Sequence, residues 1–106
     1  NRGYAYGKLE NSEEAIADYT RALRIDPDNA DAYYNRGLVY HNLGNSEEAI
    51  ADYTRALRID PDYASAYVNR GLAKAKLGLS SCSDYKRACH LGEEKCCRWY
   101  KEDNCR

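Results

Sequence analysis

Apolar residues between positions 30 and 60 recur at mixed spacings of three and four, which is the period of an α-helix. One apolar stripe consists of Tyr33, Tyr34, Gly37, Leu38, Tyr40 and Leu43, and the next consists of Ala49, Ile50, Tyr53, Ala56, Leu57 and Ile59. Gly44 separates the two stripes, and glycine adopts the left-handed backbone that commonly ends a helix. Pro61 ends the second stripe because the residue before a proline avoids helical geometry. The pattern predicts a helical hairpin.

The turn between the two helices also contains residues that favour a helix start. Asn45 is suited to the N-cap position, and Glu48 three residues later completes a capping box. The first part of the chain follows the same plan, except that Glu10 stands where glycine is expected. We expect Asn11 to adopt the left-handed conformation there.

This hairpin recurs along the chain with a period of 34 residues. Residues 11–28 and 45–62 are identical, and the units that begin at Asn1 and Asn35 differ at eight of their 34 positions. Such a period indicates a helical solenoid. We expect units at 1–29, 30–63 and 64–92, followed by a Cys-rich capping helix at 93–106, which gives seven helices. The third unit reaches its Asp84–Tyr85 pair two residues early, so its second helix has lost two residues.

The repeat resembles the tetratricopeptide repeat, a 34-residue helix–turn–helix. In the second unit the resemblance is carried by Tyr33, Gly37, Tyr40, Gly44, Ala49, Tyr53, Ala56 and Pro61. In the first unit it is carried by Gly3, Tyr6, Ala15, Tyr19, Ala22 and Pro27, and in the third by Tyr67, Gly71, Gly78, Tyr85 and Ala88. The resemblance implies an all-α, right-handed solenoid of three hairpins, the first truncated, plus the capping helix.

Composition narrows the class of protein. The 106 residues include 16 Lys plus Arg and 17 Asp plus Glu, for a formal net charge of −1. This balance argues against a nucleic-acid partner, which usually selects a cationic surface. No apolar run is long enough for a membrane span. The chain lacks an initiator Met and begins inside a repeat, so we expect it to be a fragment or a processed product.

The resemblance implies a peptide-binding groove lined by the first helix of each unit. Asn1, Asn35 and Asn69 occupy equivalent positions, and an Asn amide both donates to and accepts from an extended peptide backbone. The alternative is a local hydrogen bond for each Asn and a solvated helix face around it. The expected groove residues are Asn1, Tyr4, Lys8, Tyr34, Asn35, Leu38, His41, Asn42, Val68, Asn69, Leu72 and Lys76.

Some relatives grip the C-terminal Asp of chaperones with a carboxylate clamp. Only Asn35 matches that clamp here, because Tyr4, Ser65 and Asn69 stand where Asn, Lys and Arg are required. We therefore do not expect chaperone-tail binding.

Arginine and aspartate recur together in the three units. Arg2, Arg36 and Arg70 follow the three Asn residues, and Asp18, Asp52 and Asp84 precede a Tyr in each second helix. A buried Arg without a carboxylate is costly. The joint recurrence predicts Arg–Asp pairs between helices, with ligand contact by the arginines as the alternative.

All five cysteines lie in the last quarter of the chain, without the Cys-x-x-Cys spacing typical of zinc sites. If residues 80–91 and 94–105 form an antiparallel helical pair, Cys82 meets Cys105 at one end. At the other end of the pair, Cys89 meets Cys96 or Cys97. Helical geometry favours Cys97, because it lies on the same face as Cys105 and Cys96 does not. This predicts the disulfides Cys82–Cys105 and Cys89–Cys97, a pattern that resembles Sel1-like repeats. The alternative is five reduced thiols packed as small hydrophobic groups.

These features favour a non-enzymatic scaffold that binds a protein or peptide in its concave groove. The sequence shows no nucleophile–base set, phosphate loop or metal cluster, so we expect no catalytic residue, cofactor or metal. The competing expectation is a structural array that self-associates by end-to-end stacking or swapping. Disulfides would indicate the periplasm or the extracellular side, and reduced thiols the cytoplasm.

Overall fold

A computed structural model describes the backbone of residues 2–102 and the side chains of residues 11–98. Its six helices are α1 (Arg2–Ile25), α2 (Ala30–Asn42), α3 (Ser46–Ile59), α4 (Ala64–Lys76), α5 (Cys82–His90) and α6 (Glu94–Glu102). Each helix packs against the next one along the chain. The predicted all-α architecture of stacked hairpins is confirmed.

The ends of α2 and α3 lie where glycine and proline predict them. Gly44 has a φ of +83°, and α3 ends at Ile59, one residue before the extended Asp60. Asn45 occupies the predicted N-cap position of α3, but the predicted capping hydrogen bond is wrong, since its side chain makes none. The Asn45 backbone N–H instead donates to the Tyr40 carbonyl at 2.9 Å, which closes the end of α2. The side chain that does cap is Asn29, whose Oδ1 accepts from the Ala32 N–H at the start of α2.

The first unit differs from the sequence expectation in one respect. Helix α1 runs without a break through Glu10 and Asn11, so the left-handed turn predicted at Asn11 is wrong. The physical reason is the missing glycine, because Glu and Asn have a Cβ that penalises the left-handed backbone. The described residues therefore form six helices rather than seven, and the first unit is not bent into a hairpin.

Close approach between the two helices of a unit depends on a glycine that faces a tyrosine ring. A Cβ added at Gly37 would lie 2.7 Å from Tyr53 Cε1, and one added at Gly71 would lie 2.6 Å from Tyr85 Cε1. Tyr53 and Tyr85 are buried, together with Ala49, Ala56 and Ala88. These small and large side chains interlock to form the core between the helices.

The last three helices share a small apolar cluster. Val68 of α4, Tyr85 and Ala88 of α5, and Cys96 of α6 are buried against one another. Helix α5 has nine residues where α3 has 14, and the two-residue deletion visible in the sequence accounts for part of this difference. Helix α6 covers the end of the stack, in the position expected for the capping helix.

Candidate functional site

The first helices of successive units line one side of the molecule. Helices α2 and α4 contact each other directly, although α3 separates them in the chain. In a curved stack, helices on the inner side approach more closely than those on the outer side. The side chains that α2 and α4 present there form the concave face, which continues to α6 through a shared pocket.

A hydrogen-bonded network joins α2 to α4 at one edge of this face. Asn69 donates from Nδ2 to the Tyr34 hydroxyl at 2.9 Å and to the Ser65 carbonyl at 3.0 Å. The Tyr34 ring packs on that of Tyr63 at 4.8 Å between centroids, and the Tyr63 hydroxyl donates to Asp31 Oδ1. Burial raises the pKa of Tyr34, so its hydroxyl stays protonated at neutral pH. The network fixes the Asn69 amide in place.

The equivalent residue on α2, Asn35, has a different environment. It is half-buried, and within the described part of the chain its side chain makes no hydrogen bond. Its amide therefore keeps both donor and acceptor capacity for a ligand. Asn1, the first member of the predicted row, lies outside the described residues, as do the side chains of Tyr4 and Lys8.

A pocket of about 180 Å³ opens where α4 meets the start of α6. Its lining residues are Ser65, Val68, Asn69, Leu72, Glu93 and Lys95. Three of these, Val68, Asn69 and Leu72, were predicted from the sequence, although Val68 is mostly buried in the core. Ser65, Glu93 and Lys95 were not predicted as groove residues. The lining combines two apolar side chains, Val68 and Leu72, with polar and charged ones.

At the opposite end of α2 and α4, the predicted groove residues are more polar. Asn42 and Lys76 are exposed, whereas Leu38 and His41 are half-buried. Burial, reinforced by the charge of Lys76, lowers the pKa of His41 below its usual 6.5. His41 is therefore neutral at pH 7, and Lys76 supplies the positive charge beside it.

The predicted pairing of Arg and Asp is confirmed in the second and third units. Arg36 donates through Nε and Nη2 to the two carboxylate oxygens of Asp52, both at 2.8 Å. Arg70 donates in the same way to Asp84, at 2.6 and 3.0 Å. Asp52 has an exposed fraction of only 1%. The two arginines are thus held inside the fold rather than offered to a ligand.

Each of these arginines also reaches the preceding unit. Arg36 Nη1 donates to Thr20 Oγ1 on α1, and Arg70 Nη1 donates to Thr54 Oγ1 on α3, both at 3.2 Å. These threonines were not among the predicted residues, although each lies two positions after the aspartate of its unit, which is a signal visible in the sequence. One guanidinium therefore connects three helices of two adjacent units.

The cysteines lie where α5 and α6 meet. Cys89 and Cys97 are joined by a disulfide, with their Cα atoms 4.8 Å apart, as the sequence pairing proposed. Cys82 is also disulfide-bonded, and its predicted partner, Cys105, lies outside the described residues. Cys96 is a buried free thiol, and burial raises its pKa. It packs as a small hydrophobic side chain.

Oxidation of these cysteines leads to a simple prediction. Unfolded protein that has not been treated with reductant should have one titratable thiol, that of Cys96. Reduced and unfolded protein should have five. The Cys89→Ser variant should gain one reactive thiol in the unreduced sample, from Cys97. Five thiols in the unreduced wild type would show that the cysteines are reduced.

Comparisons with known proteins decide the family. A family model described as "TPR repeat" matches residues 3–44, and the model "Tetratricopeptide repeat" matches residues 30–63. The second TPR of Spaghetti (RPAP3), solved with HSP90 peptide SRMEEVD, is 35% identical and has a TM-score of 0.74, and the match covers 85% of each chain. The chain belongs to the tetratricopeptide repeat family. Both family matches end before the Cys-rich segment, whose resemblance to Sel1-like repeats stays a prediction.

Two further tetratricopeptide structures are similar over most of this chain. The second TPR domain of human RPAP3, solved in complex with HSP70 peptide SGPTIEEVD, is 29% identical, with a TM-score of 0.80, and the match covers 99% of this chain and 91% of that one. MamA is 34% identical with a TM-score of 0.76, and the match covers 88% of this chain and 56% of MamA. A comparison with curated proteins gave no match.

The tetratricopeptide assignment makes the chain a protein-interaction scaffold. None of the helices in the described part of the chain is long and apolar enough to cross a membrane.

Proposed function

We propose that this tetratricopeptide chain binds an extended peptide segment of a partner protein on the concave face formed by α2, α4 and the start of α6. The observation that carries the proposal is the pocket between α4 and α6, which lies beside Asn69 on the face where the Asn35 amide has no hydrogen-bonding partner among the described side chains. Peptide-bound relatives of the same fold support it.

The two Asn residues have separate roles in this proposal. Asn35 pairs with the backbone of the peptide, because its donor and acceptor groups are both available. Asn69 is held by Tyr34 and Ser65, so it presents a fixed amide at the rim of the pocket. An apolar side chain of the peptide enters between Val68 and Leu72, and the apolar area that it removes from water stabilises the complex.

Charge determines which peptides fit best. Lys76 at one end of the face and Lys95 at the pocket rim favour acidic groups at the two ends of a peptide, whereas Glu93 disfavours an acidic group inside the pocket. The peptides in the related structures end in Glu-Glu-Val-Asp. At two of the positions that a carboxylate clamp needs as cations, this chain has Ser65 and Asn69. The proposed ligand is therefore an internal peptide segment with an apolar anchor, not a free acidic C-terminus.

Selection from a displayed peptide library tests the proposal. We expect recovered peptides to share an apolar anchor, and we expect Asn35→Ala to weaken their binding by about tenfold, the equivalent of one or two hydrogen bonds. Peptide SRMEEVD serves as the probe for clamp binding and should bind much more weakly than the selected peptides.

Asn45→Ala is the matched control, because Asn45 is exposed and makes no capping hydrogen bond with its side chain. Equal capture by wild type and Asn35→Ala would exclude a role for Asn35 in peptide binding. Tight binding of SRMEEVD would instead show that the chain recognises chaperone tails without the clamp residues.

A further inference from the structure

Helix α1 presents an uncovered surface that is chemically the same as a covered surface elsewhere in the chain. Residues 11–28 repeat residues 45–62 letter for letter. Yet Asp18 has a side-chain exposed fraction of 66%, whereas its counterpart Asp52 has 1%. Tyr19 is only partly buried, whereas its counterpart Tyr53 is fully buried. The difference comes from the missing neighbour, not from the sequence of the helix.

The equivalent surfaces of α3 and α5 are each covered by the helix that precedes them in the chain. On α3, the neighbouring helix α2 places Arg36 on Asp52 and Gly37 on the Tyr53 ring. On α5, helix α4 places Arg70 on Asp84 and Gly71 on the Tyr85 ring in the same way. The surface of α1 therefore accepts a helix that carries an Arg-Gly pair at the same register.

Such a pair occurs at Arg2 and Gly3 of the same chain, within the sequence Asn-Arg-Gly that also ends at Gly37 and at Gly71. These residues belong to the same unbroken helix as Asp18. Sixteen residues of α-helix separate Arg2 from Asp18, at about 1.5 Å per residue. The backbone of Arg2 therefore lies about 24 Å along the helix from that of Asp18 in the same chain while α1 is continuous.

We propose that two copies of the chain exchange the first turns of α1, so that Arg2 and Gly3 of each copy dock on Asp18 and Tyr19 of the other. The contact reproduces the Arg36–Asp52 and Gly37–Tyr53 contacts residue for residue. Because each copy gives and receives the same segment, the contact is two-fold symmetric and closes as a dimer. It is separate from the concave face and does not depend on peptide binding.

The other end of the solenoid does not offer the same contact. The arginine of each unit also bonds to a threonine of the preceding unit, Thr20 for Arg36 and Thr54 for Arg70. On α5 the equivalent position is Lys86, which repels an arginine instead of accepting its hydrogen bond. Helix α6 also packs against α5 there. These features favour a closed dimer through α1 over an open filament of stacked ends.

Sedimentation velocity of the wild-type chain over a wide concentration range tests the proposal. We expect a reversible monomer–dimer equilibrium. Asp18→Asn should weaken dimerisation about tenfold, as expected when a desolvated charge pair loses one partner. Gly3→Ala should also weaken it, because a Cβ there would meet the partner's tyrosine ring.

Gly3→Ala separates docking from helix formation, because alanine favours an isolated α1 helix over glycine by about 1 kcal/mol. Helicity by circular dichroism should therefore stay equal or rise while the dimer weakens. Glu13→Gln, on the opposite face of α1, is the control and should dimerise as the wild type does. A wild type that is monomeric at every concentration would overturn the proposal, and so would a dimer that is insensitive to both Asp18→Asn and Gly3→Ala.

Discussion

Replacing Asp52 by alanine is expected to lower the free energy of unfolding by about 3 kcal/mol, because it leaves a largely buried guanidinium without its carboxylate. The Arg36 side chain is only 15% exposed, and its pKa is raised chiefly by the hydrogen bonds to Asp52. Removing Asp52 also takes away a hydrogen-bonding partner of Arg55. Arg36, which connects α1, α2 and α3, would lose its main hydrogen-bonding partner.

The duplicated sequence supplies a matched control for this experiment. Asp18 and Asp52 lie at the same place in the duplicated stretch, with seven identical residues before them and ten after them. Asp18 is exposed, however, and among the residues whose side chains are described it pairs with Arg21 of its own helix. At concentrations where the chain is monomeric, Asp18→Ala should change stability by less than about 0.5 kcal/mol, as is usual for an exposed pair. Urea unfolding of both variants measures the difference. Equal losses would show that the Arg36–Asp52 pair does not stabilise the fold.

Substituting Gly37 by alanine should destabilise the protein by about 2 kcal/mol, even though alanine is the better helix former. The added Cβ would lie 2.7 Å from Tyr53 Cε1, and the ring belongs to a fully buried side chain. Helices α2 and α3 would have to separate, and that would also lengthen the Arg36–Asp52 hydrogen bonds.

A double-mutant cycle with Tyr53→Leu tests the cause. Tyr53→Leu removes the ring atoms that the new Cβ would meet, so the cost of Gly37→Ala should fall towards zero in that background. The measurement is the free energy of unfolding of the four proteins. The same cost in both backgrounds would show that the Gly37–Tyr53 contact is not the reason for glycine at this position.

The 34-residue sequence repeat predicted the fold and the Arg–Asp pairs, because the apolar residues and the charged residues recur at the same positions of each helical unit. Two opposed positions carry the pattern, with Arg36 and Arg70 at one and Asp52 and Asp84 at the other, and their pairing satisfies the buried charges. The break predicted at Asn11 failed for a reason visible in the sequence, since Glu10 lacks the conformational freedom that Gly44 provides. Asn45 lies at the predicted N-cap position, but its side chain makes no capping hydrogen bond, and its backbone N–H closes the end of the preceding helix.

The concave face was harder to predict than the core. Asn69 and Asn35 are equivalent in sequence, but only Asn69 has a Tyr34 hydroxyl within reach, and this contact joins residues 35 positions apart. The pocket wall formed by Glu93 and Lys95 comes from a segment that does not follow the repeat. A pattern within one unit does not predict such contacts between units.

Chemical-shift mapping by NMR tests the central claim, that the concave face is the peptide-binding surface. A peptide selected from the library should shift the backbone amide signals of Asn35, Leu38, Asn69 and Leu72 as it is titrated. The signals of Arg58 and Lys86, on the second helices of their units, should not move. Shifts confined to α1 or to the second helices, with Asn35 and Leu72 unchanged, would contradict the claim.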